Sequence, residues 1–257
     1  MDRINRIAVD TTHAITDLCV LATEFPTDKS AFHVQPGHTP HRHPYTAVYD
    51  MLFATRRYDP LVFGELGVLD NMSMHVWRGY FPNATLYGFD AFPDKIEAAR
   101  QAALPRTHYA LADVGNRRSL FDAFNDTGRA FDVLIDDSTH LFDHQILFIG
   151  VALEFVRPGG MVIVEDVFRG WDETRYCAAL QPVYPYFSSG TFIETNHAQA
   201  YSAGNVEPYY NNDKLLVLVR NETPVARAHP TAAQNRQRLD ATLARPEFKA
   251  RERRVTG

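Results

Sequence analysis

From residue 61 to residue 165, short apolar runs alternate with segments of helical period, and that alternation restricts the chain to an α/β fold. Leu61–Leu66, Ala84–Phe89, Thr107–Ala112, Phe131–Asp136 and Gly160–Glu165 read as strands. Met72–Tyr80, Pro93–Ala103, Arg117–Asp126 and Phe142–Val156 read as the helices between them. Strands joined by helices of this length become parallel neighbours, so the expectation is a Rossmann-like doubly wound sheet. Thr191–Thr195 and Lys214–Arg220 read as two last strands with no helix between, giving about seven strands and an antiparallel C-terminal edge.

The strands end in acids. One closes on Asp136-Asp137 and the last parallel one on Glu165-Asp166. Neighbouring strands lie about 4.8 Å apart. If these two are neighbours, Asp137, Glu165 and Asp166 converge at the carboxyl edge, where open parallel sheets bind ligands. Three anions there repel one another unless a cation or protons intervene. Oxygen donors favour a hard ion such as Mg²⁺. His140 follows Asp137 in the same loop and reads two ways, as a structural cap of the next helix or as a proton acceptor beside the metal. Strand alternation turns Asp136 away from Asp137, which makes it a structural or a cofactor-side acid.

The turn after the first strand is Glu65-Leu-Gly67-Val-Leu-Asp70-Asn71-Met-Ser73. A dinucleotide site wants Gly-x-Gly-x-x-Gly there, so that backbone amides reach a pyrophosphate. This turn has one glycine, and Asp70 stands where a diphosphate would sit. That disfavours NAD and suits a phosphate-free cofactor carrying an amino acid, a sulfonium cation and a ribose. Glu65 faces the positive end, Gly67 lets the backbone come close, and Ser73 joins them as a cofactor contact. Asp90, ending the second strand, is placed for two ribose hydroxyls, and Asp113, ending the third, for an adenine amine. Any one such aspartate is as readily a helix cap; three in order are a stronger signal.

The series resembles the class I S-adenosylmethionine-dependent methyltransferases. More narrowly it is similar to the metal-dependent macrolide and sugar O-methyltransferases, a group that includes the mycinamicin and macrocin enzymes and cephalosporin-hydroxylase-named relatives. The matching pieces are Thr27-Asp28-Lys29 with Tyr45 and Tyr49, Glu65-Leu-Gly-Val, Trp77-Arg-Gly-Tyr-Phe-Pro-Asn-Ala, and Tyr87-Gly-Phe-Asp90. The more specific ones are Phe131-Asp-Val-Leu-Ile-Asp-Asp-Ser-Thr-His140 and Arg157-Pro-Gly-Gly-Met-Val-Ile-Val-Glu-Asp166. Together they span residues 20–170. The resemblance implies that Asp137, Glu165 and Asp166 hold Mg²⁺, that His140 is the general base, and that Glu65, Gly67, Asp90 and Asp113 contact S-adenosylmethionine. It implies an O-methyltransferase for a hydroxyl of a sugar or small secondary metabolite, working in natural product biosynthesis. Two departures stand out: Asn71 occupies the place of a usual second glycine, and Ser138-Thr139 replace Gly-Ser. The large N-terminal domain of the macrolide enzymes has no counterpart in the sequence, so their substrate does not carry over. An N-methyltransferase for a small amine or a phosphoramidate of a glycan precursor, or a non-catalytic cofactor-binding protein, stays open. The two-His-one-carboxylate set of an iron hydroxylase is not evident.

Net charge is −5, against a nucleic-acid partner recognised through a broad basic face. No apolar run approaches the ~18 residues of a membrane span. The expectation is a cytoplasmic protein with no membrane association, in which Cys19 and Cys177 are reduced thiols. Residues 1–57 read as an N-terminal helical or lid segment, 58–222 as the catalytic domain and 223–257 as a basic tail. From Val225 onward that tail carries eight Lys/Arg against three Asp/Glu; it reads as solvated, with a homo-oligomer contact as the second reading. His38, His41 and His43 read as a surface or lid loop, with substrate contact the alternative. His144 reads as packing behind His140, and Trp77, Tyr80 and Phe81 as core. Asp28-Lys29 closes over the cofactor or forms a solvated turn. Tyr201, Tyr209 and Tyr210 lie where an acceptor pocket could form.

Overall fold

A computed structural model describes residues 1–32, 43–169, 172–198, 214–225, 236 and 239–241. Its frame is an eight-stranded sheet. The strands are β1 (Asn5–Asp10), β2 (Val62–Leu66), β3 (Thr85–Asp90), β4 (Thr107–Leu111), β5 (Phe131–Asp136), β6 (Val156–Val164), β7 (Phe187–Asn196) and β8 (Lys214–Arg220). The helices are α1 (Asp17–Glu24), α2 (Tyr45–Phe53), α3 (Met72–Tyr80), α4 (Pro93–Gln101), α5 (Arg117–Asp126), α6 (Phe142–Ala152) and α7 (Glu173–Leu180). Strand order is β1-β7-β8-β6-β5-β2-β3-β4. Only β8 runs against its neighbours, antiparallel to both β6 and β7.

The central strands are apolar throughout because both faces are covered, and every residue of β5 is buried. One face packs Leu134, Val162 and Val164 under Phe121, Phe148 and Tyr176 of α5, α6 and α7. The other packs Val133, Ile135 and Ile163 under Leu18, Tyr49 and Trp77 of α1, α2 and α3. Trp77, Tyr80 and Phe81 are core residues, as expected. Local signals set the helix starts. Pro93 opens α4, Asn116 caps α5 by accepting from the Arg118 and Ser119 amides, and Thr16 caps α1.

The parallel core and the antiparallel pair are as the sequence indicates, with one strand more. Residues 1–57 are not wholly helical: β1 pairs in parallel with β7 and forms the sheet edge. Its side chains are mostly exposed, so no hydrophobic alternation betrays it. Thr11 continues that pairing to the Asn196 carbonyl at 2.8 Å, and α1 begins only at Asp17. At the other boundary, α6 stops at Ala152 and β6 starts at Val156, which pairs with Phe131 before a register shift. His38, His41, Tyr201, Tyr209, Tyr210 and the Arg245–Arg254 stretch lie outside the described residues. Among the described residues no helix is long and apolar enough to cross a membrane.

Candidate active site

The chain leaves β2 toward β3 and β4 on one side and returns to β5 and β6 on the other, so the strand order reverses between β2 and β5. A crevice opens beyond the carboxyl ends at such a point. Here it is a cavity of about 470 Å³, and Gly67, Ser73, Asp90, Asp113, Asp137, His140 and Asp166 all line it. Glu65, Asp136 and Glu165 lie behind its wall, buried.

Gly67 has φ 103°, and a Cβ there would collide with the Asp137 carbonyl oxygen. Only glycine lets the turn after β2 pass β5 this closely. Asp90 shapes that turn: Oδ2 accepts from the Val68 and Leu69 amides at 3.0 and 3.1 Å, and Oδ1 from the Phe92 amide at 3.0 Å. The residue still lines the cavity. Asn71 sits at φ 71°, a left-handed conformation that asparagine tolerates, and its Oδ1 accepts from Tyr109 at 2.8 Å. The departure from glycine is thus accommodated. Asp113 stands exposed at the mouth, its Oδ1 accepting from the Gly115 amide at 2.9 Å. Phe92, 64% exposed, also lines the cavity.

At the other end, alternation along β2, β5 and β6 sends Glu65, Asp137 and Glu165 to the same face as Phe63, Ile135 and Ile163, under α2 and α3. Glu65 accepts from Ser73 Oγ at 2.6 Å and from Trp77 Nε1. Lys29 enters between the other two. Its ammonium bonds Asp137 Oδ2, donates to Glu165 Oε2 at 2.7 Å and stands 3.9 Å from Glu65 Oε1. Tyr49 donates to Glu165 Oε1 at 2.6 Å, so both oxygens of that carboxylate are engaged. Tyr45 donates to Asp166 Oδ1 at 2.7 Å. His43 Nδ1 lies 3.4 Å from that same oxygen, and His140 Nε2 lies 3.4 Å from Oδ2.

Burial pushes the Asp137 carboxyl up to about 7 against the pull of Lys29, and pushes Glu165 well above the carboxylate range. Burial alone would lower Lys29, but Asp137 and Glu165 hold it well above its usual value. His140 and Asp166 both have left-handed backbones, φ 57° and 55°. Such conformations cost energy and persist where the surroundings enforce them. Ser138 is not left-handed, so serine fits at a position where the resemblance leads one to expect glycine. It donates instead to Asp136 Oδ1 at 2.5 Å, on the opposite face from Asp137. Burial raises Asp136 to about 6. His144 meets Thr139 Oγ1 at 2.8 Å, steadying the loop before His140. Gln145 donates to the Glu165 carbonyl at 3.0 Å and accepts from Tyr176 at 2.5 Å.

Donor atoms of Asp137, His140 and Asp166 lie within 4.8 Å of one another. Two carboxylates and an imidazole suit a divalent cation, and the acidic cavity beyond suits a cationic adenosyl ligand. Glu65 and Asp136 are held under the cavity wall, so the expected contacts that reach the cavity are Gly67, Ser73, Asp90 and Asp113. The sequence reading left Lys29 between two alternatives and gave Tyr45 and Tyr49 no role; His43 proves buried against Asp166 rather than on the surface.

This sheet order and its carboxyl-edge cavity are the fold of class I methyltransferases. MycE methyltransferase of the mycinamycin pathway, solved with Mg and S-adenosylhomocysteine, superposes with a TM-score of 0.56 at 19% identity, over 83% of this chain and 58% of that one. A second MycE structure, which also holds mycinamycin VI, gives 0.55 over 84% and 58%. In sequence, the 8-demethyl-8-alpha-L-rhamnosyl tetracenomycin-C 2′-O-methyltransferase of Streptomyces olivaceus is 31% identical over 149 residues, 55% of this chain and 36% of that protein. The mycinamicin VI 2″-O-methyltransferase of Micromonospora griseorubida is 26% identical over 162 residues, 60% of this chain and 37% of that one. The match thus covers about a third of the length of these curated relatives. No protein-family model matches it.

Proposed function

We propose that this chain forms the cofactor-binding and acceptor-activating unit of an S-adenosylmethionine-dependent O-methyltransferase, acting on a sugar or small-metabolite hydroxyl. The observation that carries the reading is one cavity that joins two sets of groups: Gly67, Ser73, Asp90 and Asp113 at one end, and Asp137, His140 and Asp166 at the other. The activities of the relatives, sugar and macrolide O-methyl transfers, support it.

Bound there, S-adenosylmethionine supplies an electrophilic methyl carbon, and Mg²⁺ held by Asp137 and Asp166 supplies acidification of an acceptor hydroxyl whose own pKa is far above 7. Asp90 takes the ribose and Gly67 the close backbone approach. Glu65, bonded by Ser73 from the cavity side, presents negative charge toward the sulfonium end. His140, partly exposed on the wall, takes the hydroxyl proton. Asp166, 3.4 Å from its Nε2, balances the charge His140 gains. A base so positioned contributes roughly 10²–10⁴-fold.

The test is calorimetric titration of S-adenosylmethionine with and without Mg²⁺, on wild type and Asp137→Ala. The expected result is cofactor binding in both proteins and Mg²⁺ binding lost in the variant. No cofactor binding by wild type would sink the methyltransferase reading. Cofactor binding with no response to any metal would shift the acceptor from hydroxyl to amine.

A further inference from the structure

Four carboxylates, Glu65, Asp137, Glu165 and Asp166, crowd one end of the cavity, three of them nearly inaccessible. Among the described residues, every Lys or Arg ion pair to these acids comes from Lys29. Its side chain is only 4% exposed and reaches the cluster from a loop that precedes the sheet core. The loop is fixed there: the Tyr45 and Thr46 amides at the start of α2 donate to the Lys29 carbonyl at 3.1 Å, and the Ser30 amide to the Thr27 carbonyl at 3.2 Å. The ammonium bridges Asp137 and Glu165, the same two carboxylates that a divalent cation of the expected three-acid set would bridge.

We propose that Lys29 is a resident counter-cation of the cluster and competes with the divalent metal for Asp137. Lys29 and Tyr49 hold Glu165 as the seat of the ammonium, and the metal enters on the Asp137, His140 and Asp166 side as Asp137 is released from Lys29. This inference rests on the metal-assisted reading above and deepens it. Lys29 is a positioning residue in this scheme: without metal it keeps buried like charges from repelling one another, and it sets how strongly the cluster draws a cation.

The experiment uses Mn²⁺ as the probe, on the full chain without cofactor or acceptor, comparing wild type, Lys29→Met and Lys29→Arg. Removing a buried positive charge a few ångströms away should tighten Mn²⁺ binding by at least about tenfold. In chelator, Lys29→Met should melt below wild type, and saturating Mn²⁺ should raise its melting temperature more than it raises that of wild type. Lys29→Arg should stay near wild type in both. Equal or weaker Mn²⁺ binding by Lys29→Met would overturn the proposal. If Lys29→Met does not fold, side-chain ¹⁵N lysine spectra of wild type decide. The Lys29 ammonium resonance must move on Mg²⁺ titration and saturate with binding, and an unmoved resonance overturns the idea. Wild type that binds S-adenosylmethionine but no divalent cation would sink this inference together with the metal-assisted part of the reading above, whereas Mn²⁺ binding that is no tighter in Lys29→Met would sink this inference alone. Wild type that binds Mn²⁺ as described but no S-adenosylmethionine would sink the methyltransferase reading alone.

Discussion

Asp136 shows what one carboxylate costs when the fold gives it a single hydrogen bond. Ser138 satisfies Oδ1 at 2.5 Å, while Oδ2 is buried and meets no partner among the described residues. Burial raises its pKa from 3.8 to about 6. A raised carboxyl binds its proton more tightly in the folded state, so its favourable contribution is present below pH 4 and is lost as pH rises through about 6. Asp136→Asn removes that loss. Its stability relative to wild type should climb between pH 4 and 7 by up to about 3 kcal/mol, two pKa units' worth, read by urea denaturation at several pH values. A flat difference would mean that Asp136 is solvated in the native state. The neighbouring acids were legible because each ends a strand. Asp90, Asp113, Asp137 and Asp166 could be placed on the cavity from spacing and alternation alone. Lys29 and Tyr49 could not, since they meet their partners across 108 and 116 residues, and no local pattern encodes such a contact.

Strands β2, β3, β5, β6 and β8 announce themselves because both their faces are buried and their sequences are nearly all apolar. Helices α3 and α5 were legible to the residue because a full amphipathic turn ends at each boundary. An edge strand with one partner and exposed side chains has no such signature, and β1 was hidden for that reason. Its pairing with β7 is reinforced at the chain start, where the Met1 amino group donates to the Tyr184 and Phe187 carbonyls at 3.0 and 2.7 Å. Three strands separate β1 from β5. Deleting residues 1–10 should therefore lower the melting temperature by roughly 5 °C while S-adenosylmethionine affinity stays within about threefold, since no residue of β1 lines the cavity. Loss of cofactor affinity in a truncated chain that still melts cooperatively would show that the edge supports the site and that its separation from β5 is only geometric.

At the scale of the molecule, the doubly wound topology gathers acids from distant parts of the chain onto one edge and leaves few cations to oppose them. Six aspartates line the cavity against two lysines, Lys29 and Lys95. Such a cleft, walled by low-dielectric core, focuses its field on whatever enters and favours a ligand of positive charge. S-adenosylmethionine carries one positive charge more than S-adenosylhomocysteine and is otherwise nearly the same shape, so the pair isolates the electrostatic part of binding. Raising salt shortens the screening length from about 10 Å at 0.1 M to about 3 Å at 1 M. The affinity for S-adenosylmethionine should therefore fall more steeply with salt than that for S-adenosylhomocysteine, with the ratio of the two changing by roughly threefold over that range. Calorimetric titrations of both ligands at two salt concentrations measure it. The same titrations weigh the chain against relatives of which the match covers about a third. Every acid credited with the preference belongs to this chain, so the selectivity should appear in this chain alone; equal salt slopes for the two ligands would place the discrimination in contacts to the methionine group rather than in the field of the fold.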